Sequence, residues 1–122
     1  MKYLLLMQIN NAVLDALTEA EREVVMSGHQ EFIRAITESG EMISTNALGD
    51  HSATVTVAGR GGEQVVTDGP FVEAKEYLGG YYLVDVESGE RAVELARMIP
   101  DSRIDGLAVE VRPVMFSAGP DV

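Results

Sequence analysis

The sequence predicts an α+β fold, a ferredoxin-like βαββαβ sheet with both helices on one face. Two observations carry that expectation. Two stretches have apolar residues at helical spacing, and the remaining apolar runs are short and alternate with polar residues. The resulting order over 122 residues is β-α-β-β-(short β)-β-α-β. A chain of this length fits a single domain, here residues 1–116 with 117–122 as a tail, and buries roughly two-thirds of its unfolded surface.

The elements follow in order. "KYLLLMQI" at 2–9 suits a strand buried on both faces, and a loop is expected after it. Thr18-Glu19-Ala20-Glu21 has the form of a capping box and opens a long helix. Val25, His29, Phe32, Ile33 and Ile36 make its apolar stripe, and Gly40 is a natural residue just past its end. "EMISTNAL" at 41–48 and "SATVTVAG" at 52–59 read as strands, "GRGG" at 59–62 as a hairpin turn, and "EQVVT" at 63–67 as a short strand. Residues 72–77 could form one helical turn before the strand "YYLVDV" at 81–86. Ser88 caps a second helix with Ala92, Leu95, Ala96 and Ile99 on its buried side, and Pro100 stops it. "LAVEVRPV" at 107–114 closes the sheet, and Met115 and Phe116 after it are expected to pack.

Helices on one face leave the other face bare. Either Tyr82, Val84 and Val86 or Tyr81 and Leu83 must point there, and a second copy of the sheet is the simplest cover. A homodimer is therefore expected.

Composition excludes several functions. Twenty acidic residues against nine basic give a net charge of −11, which repels phosphate backbones and argues against nucleic-acid binding. Without cysteine there is no disulfide or thiolate chemistry, as suits the cytoplasm. "MKYLLLMQIN" is too short to span a bilayer and has no cleavage site, so a soluble, intracellular protein is expected. Two histidines without close ligand spacing argue against a metal, and no cofactor is expected.

Two features hold the candidate chemistry. On a wheel of about 100° per residue with Val25 at zero, Ile36 falls near +20°, His29 near +40° and Phe32 near −20°. An imidazole thus sits in the buried stripe, as a core histidine with its nitrogens satisfied or as a general acid or base. The second feature is "DGPFVEAKEYLGG" at 68–80, far richer than a hairpin connection needs. Asp68 could fix the loop through backbone N–H groups or orient His29. Lys75 could be a solvated charge or an anion-binding group. Gly79-Gly80 marks special backbone angles or a close approach. Gly69, Phe71, Glu73 and Tyr81 complete the candidate substrate contacts. His51, beside Asp50, is read as a loop residue.

"TDGPFVEAKEYLGGYYLVDV", with "MKYLLL" at the start and "VEVRPV" near the end, resembles the DGPF-domain branch of the YCII-related (YciI-like) proteins from Met1 to about Phe116. The resemblance implies a dimeric α+β barrel of ferredoxin-like units. It implies a histidine and an aspartate near a cleft, by motif position His29 and Asp68. It also implies an association with sigma-factor-type transcription regulators, hence a transcription-related protein partner. The branch commonly has a "GEAL"-like stretch where this chain reads "TNAL", and Asn46 could not replace that glutamate as a base. Two functions follow. One is an isomerase or lyase acting on an unidentified small molecule through a His29/Asp68 acid–base pair. The other is a non-catalytic metabolite-binding or regulatory module.

Overall fold

In a computed structural model, which describes residues 1–120, four strands form one antiparallel sheet and two form a separate hairpin. The elements are β1 (Lys2–Asn10), α1 (Asn11–Ala16), α2 (Glu19–Glu38), β2 (Met42–Ala47), β3 (Val55–Arg60), β4 (Glu63–Asp68), β5 (Glu76–Asp85), α3 (Gly89–Met98) and β6 (Ala108–Pro113). The main sheet runs β2-β5-β1-β6, an α+β arrangement compatible with the expected ferredoxin-like fold. β3 and β4 pair only with each other. The last two residues of the expected tail lie outside the described residues.

Alternation decides which face is core. Leu5 and Met7 of β1 and Tyr82 and Val84 of β5 are buried with Phe32 and Ile36 of α2 and Ala92, Leu95 and Ala96 of α3. The pairs Leu4↔Leu83 and Leu6↔Tyr81 have the opposite parity and fall on the face away from the helices, where burial is only partial. Of the two alternatives for the bare face, it is therefore Tyr81 and Leu83 that lie there.

Helix boundaries follow their caps. Thr18 and Glu21 make the reciprocal capping box that the sequence announces, and Ser88 accepts from the Arg91 N–H at the start of α3. α3 ends at Met98, and Pro100 then opens a 3₁₀ turn over Pro100–Arg103, its missing N–H costing nothing at a helix start. Arg91 donates to both carboxylate oxygens of Glu41 at 2.9 Å, tying α3 to the start of β2. That pairing holds the Glu41 carboxyl below its usual range.

Several expectations needed correction. Residues 11–16 are helix rather than loop, because the Asn10 side chain accepts from the Ala12 N–H and caps them. The strand expected from 52 begins at Val55, since Asp50 caps a 3₁₀ turn over His51–Ala53. Residues 72–77 form no helical turn, because β5 begins at Glu76, where Glu76, Tyr77 and Leu78 pair with Asn10, Ile9 and Gln8. Gly79 is the unpaired extra residue of a bulge at that point. A Cβ there would come within 2.5 Å of Ile9, and one on Gly80 within 2.8 Å of the Asn46 carbonyl. Close approach, not a left-handed backbone, explains the Gly79-Gly80 pair. The "GRGG" hairpin stands, with Gly61 and Gly62 at φ of 60° and 84° as a two-residue primed turn requires. Met115 and Phe116 do not pack within the chain, being 99% and 81% exposed. They follow the last strand, past the Val114 N–H bond to the Lys2 carbonyl.

Among the described residues, no helix is long and apolar enough to cross a membrane.

Candidate active site

α2 carries His29 to the inner side of the sheet, and both imidazole nitrogens are engaged there. Nδ1 lies 2.7 Å from the Tyr82 hydroxyl, and Nε2 lies 2.7 Å from Oδ1 of Asp101. Tyr82 is 2% exposed and Asp101 6%, whereas the His29 side chain keeps 23% of its surface. With Asp101 ionised, Nε2–H donates to the carboxylate, which leaves Nδ1 to accept from the Tyr82 hydroxyl. The result is a three-residue chain, Tyr82–His29–Asp101, at the seam of β5, α2 and the turn after α3.

Neighbouring residues account for the geometry. A Cβ on Gly28 would meet Pro100 Cγ at 2.5 Å, so only glycine lets α2 come down on the 100–103 turn and bring His29 to Asp101. Phe32, one turn beyond Gly28, meets the Tyr82 ring edge-on, with centroids 4.8 Å apart at 80°. The His29 ring lies nearly parallel to that of Tyr82, 14° between planes. Burial, and secondly the Asp101 charge, push the Tyr82 hydroxyl up to about 12, so it remains a donor throughout the neutral range. Beside His29, the residues Leu14, Leu17, Val25, Met26 and Ile33 line a mostly apolar cleft of about 500 Å³ with Asp15, Arg22 and Gln30. It suits a small molecule with an apolar body.

The carboxylate on His29 is therefore Asp101, not Asp68. Asp68 ends β4 opposite Val55, in the separate hairpin. Among the described residues its carboxylate makes no hydrogen bond that would fix the loop either. Gly69, at φ of 99°, donates its N–H to the Thr54 carbonyl at 2.7 Å and accepts from the Thr56 hydroxyl at 2.6 Å. A left-handed glycine closes the loop without the carboxylate.

The other candidates gather elsewhere. Gly69, Glu73 and Lys75 line a cleft of about 600 Å³ together with His51, Ser52, Pro70 and Ala74. Phe71 is 80% exposed. Tyr81, on the bare sheet face, accepts at its hydroxyl from the Asn46 amide at 2.7 Å. Among the described residues no cluster of His, Cys, Asp and Glu could hold a metal ion.

Sequence reading missed Asp101 and Tyr82 as site residues. Their signals were present but indirect. Gly28 is a helix-interior glycine beside the histidine, at a cost of about 1 kcal/mol against alanine, and such a glycine marks a close approach. Asp101 directly follows the proline that ends α3.

Residues 1–116 match the YCII-related domain. The chain is also 33% identical over 114 residues to an uncharacterised protein, R00369, of Rhizobium meliloti (strain 1021), covering 93% of this chain and 92% of that protein.

Proposed function

We infer from the Tyr82–His29–Asp101 chain that this protein, which belongs to the YCII-related family, is a small-molecule enzyme that moves a proton, of the isomerase or lyase type. The hydrogen-bonded chain is the observation that carries the reading. An apolar residue at position 29 would pack without the cost of burying a polar network, so retaining one at the edge of a cleft favours a chemical use. Membership of the DGPF branch is supported by "TDGPFVEAKEYLGGYYLVDV", and a cytoplasmic setting by the lack of cysteine.

The roles follow from the hydrogen bonds. A substrate with a hydroxyl, or with an acidic C–H beside a carbonyl, places its body in the apolar cleft and presents that hydrogen to Nδ1 of His29 in place of Tyr82. Giving up that hydrogen bond costs about 1 kcal/mol. His29 takes the substrate proton, and the imidazolium is held against the Asp101 carboxylate. The released Tyr82 hydroxyl donates to the oxygen that gains negative charge. The proton then returns from Nδ1 to a neighbouring atom of the substrate. Wild type should turn over one or more members of a panel of aromatic and lactone acids, with losses of about 100-fold or more in His29→Ala. Equal turnover by the two proteins would sink the mechanism.

A second reading, a non-catalytic metabolite-binding or regulatory module, is favoured by one fact: both His29 nitrogens already have protein partners. A ligand retained by the cleft but never converted would support it.

A second copy of the chain is the proposed cover of the bare sheet face, the two sheets closing a dimeric α+β barrel. Leu4, Leu6, Tyr81 and Leu83 offer apolar surface there. Val55, Val57 and Val66 on the hairpin, with Met115 and Phe116, are exposed apolar groups a partner could bury. Sedimentation at micromolar concentration should give twice the chain mass, and Leu83→Glu should halve it. A monomeric wild type would remove the dimer.

A further inference from the structure

His51 belongs to a second cluster, built on different principles from the first. Its ring lies flat on Tyr77, with centroids 4.2 Å apart and 10° between planes. Tyr77 is itself pinned, its hydroxyl donating to Oδ1 of Asn11 at 2.7 Å and lying 3.1 Å from Oδ1 of Asp50. The Asn11 amide donates to the same Asp50 oxygen at 2.9 Å, while the other oxygen accepts from the Ser52 N–H at 3.0 Å. These bonds, those to Ser52 foremost, hold the Asp50 carboxyl far below its usual range. The platform under His51 is thus fixed before any ligand arrives.

What the platform presents is unspent. Among the described residues, neither ring nitrogen of His51 has a hydrogen-bond partner and Lys75 has no ion pair, whereas Arg34 and Arg91 each pair with two carboxylates. His51 and Lys75 share a cleft of about 600 Å³ whose floor is shaped by the Gly69 turn. A pre-fixed ring with open polar atoms, one ammonium and room for a small molecule make a recognition site.

We propose that this cleft, between the 51–53 turn and the 69–75 loop, is a second ligand site that binds a small aromatic carboxylate independently of His29. Lys75 pairs with the carboxylate, and the ligand ring extends the His51–Tyr77 stack. Charge selects the ligand class. Glu73 lines the same cleft as Lys75, so a carboxylate leaves one negative charge in excess there and a phosphate dianion leaves two, which favours the singly charged ligand.

Amide and imidazole NMR spectra titrated with benzoate test the site, with cyclohexanecarboxylate and inorganic phosphate as comparators. Benzoate should shift Ser52, Gly69, Ala74 and the His51 ring, and those shifts should persist in His29→Ala. Lys75→Met should weaken its binding by about fivefold, as an exposed charge pair allows. His51→Ala should remove the preference for benzoate over cyclohexanecarboxylate. Unchanged His29 resonances in both variants report that the fold is kept. Absent shifts at these residues, binding indifferent to Lys75→Met, or tighter binding of phosphate would each overturn the proposal.

Discussion

The two histidines of this chain sit in opposite situations. His29 has a carboxylate on one nitrogen and a hydroxyl on the other, inside the seam between helix and sheet. His51 has an aromatic ring beneath it and open nitrogens, beside a cleft at the surface. Each cluster contains a tyrosine, an aspartate and a histidine, yet burial gives the same residue types different duties. In the first the network is part of the core, so its members depend on one another. In the second the network props a platform, and its loss leaves the core untouched.

The largest expected difference is in stability. Asp101→Ala strips the imidazole of its buried carboxylate partner and should cost about 3 kcal/mol, as for other broken buried pairs. Asp50→Ala removes hydrogen bonds that water can replace and should cost far less. Urea unfolding of the two variants measures both. Equal losses would erase the distinction between the clusters.

Alkaline pH should separate the two tyrosines next. Tyr82 titrates near 12 in the folded protein and near 10 when unfolded, so the folded state holds its proton more tightly. That contribution is whole below pH 10 and is lost as pH rises through 12, by roughly 3 kcal/mol at most. Tyr82→Phe should flatten the fall in stability over that window. Tyr77→Phe should change it little, because Tyr77 stands near the surface. A profile unmoved by Tyr82→Phe would mean that its hydroxyl is solvated.

The contrast also marks what a sequence can disclose. The strand and helix order was legible because period-two and 3.6-residue patterns are local, and so were the capping box at Thr18 and the turn at Gly61-Gly62. His29 stood out because a polar group lay in an apolar stripe. Its partner did not, because Asp101 comes to it across 72 residues through a helix contact that depends on Gly28. Tyr82 was hidden for a related reason: alternation admitted either parity, and only packing against α2 chose one. The 68–80 segment stood out by its crowding, but its spatial neighbours could not be read from it. Its Gly69 turn and Lys75 share a cleft with His51, which no periodicity could have linked to them.

The smallest expected effect is the most discriminating. Asp68→Asn alters an exposed carboxylate at the end of β4, and stability should move by no more than about 0.5 kcal/mol. Within one chain it should also leave the NMR resonances of the His29 imidazole as they are in wild type, whereas Asp101→Asn, which touches Nε2, should displace them. His51 serves as the internal reference in both. If Asp68→Asn displaces the His29 resonances after all, the carboxylate must reach that ring by a route a single chain does not provide. The hairpin that carries Asp68 pairs only with itself and exposes Val55, Val57 and Val66, so it is the element best placed to lie against a second copy. A concentration-dependent response of His29 to Asp68→Asn would then make the site a shared one, its histidine and its fourth member supplied by different subunits. Silence of His29 at every concentration would leave Tyr82, His29 and Asp101 as a complete set within one chain.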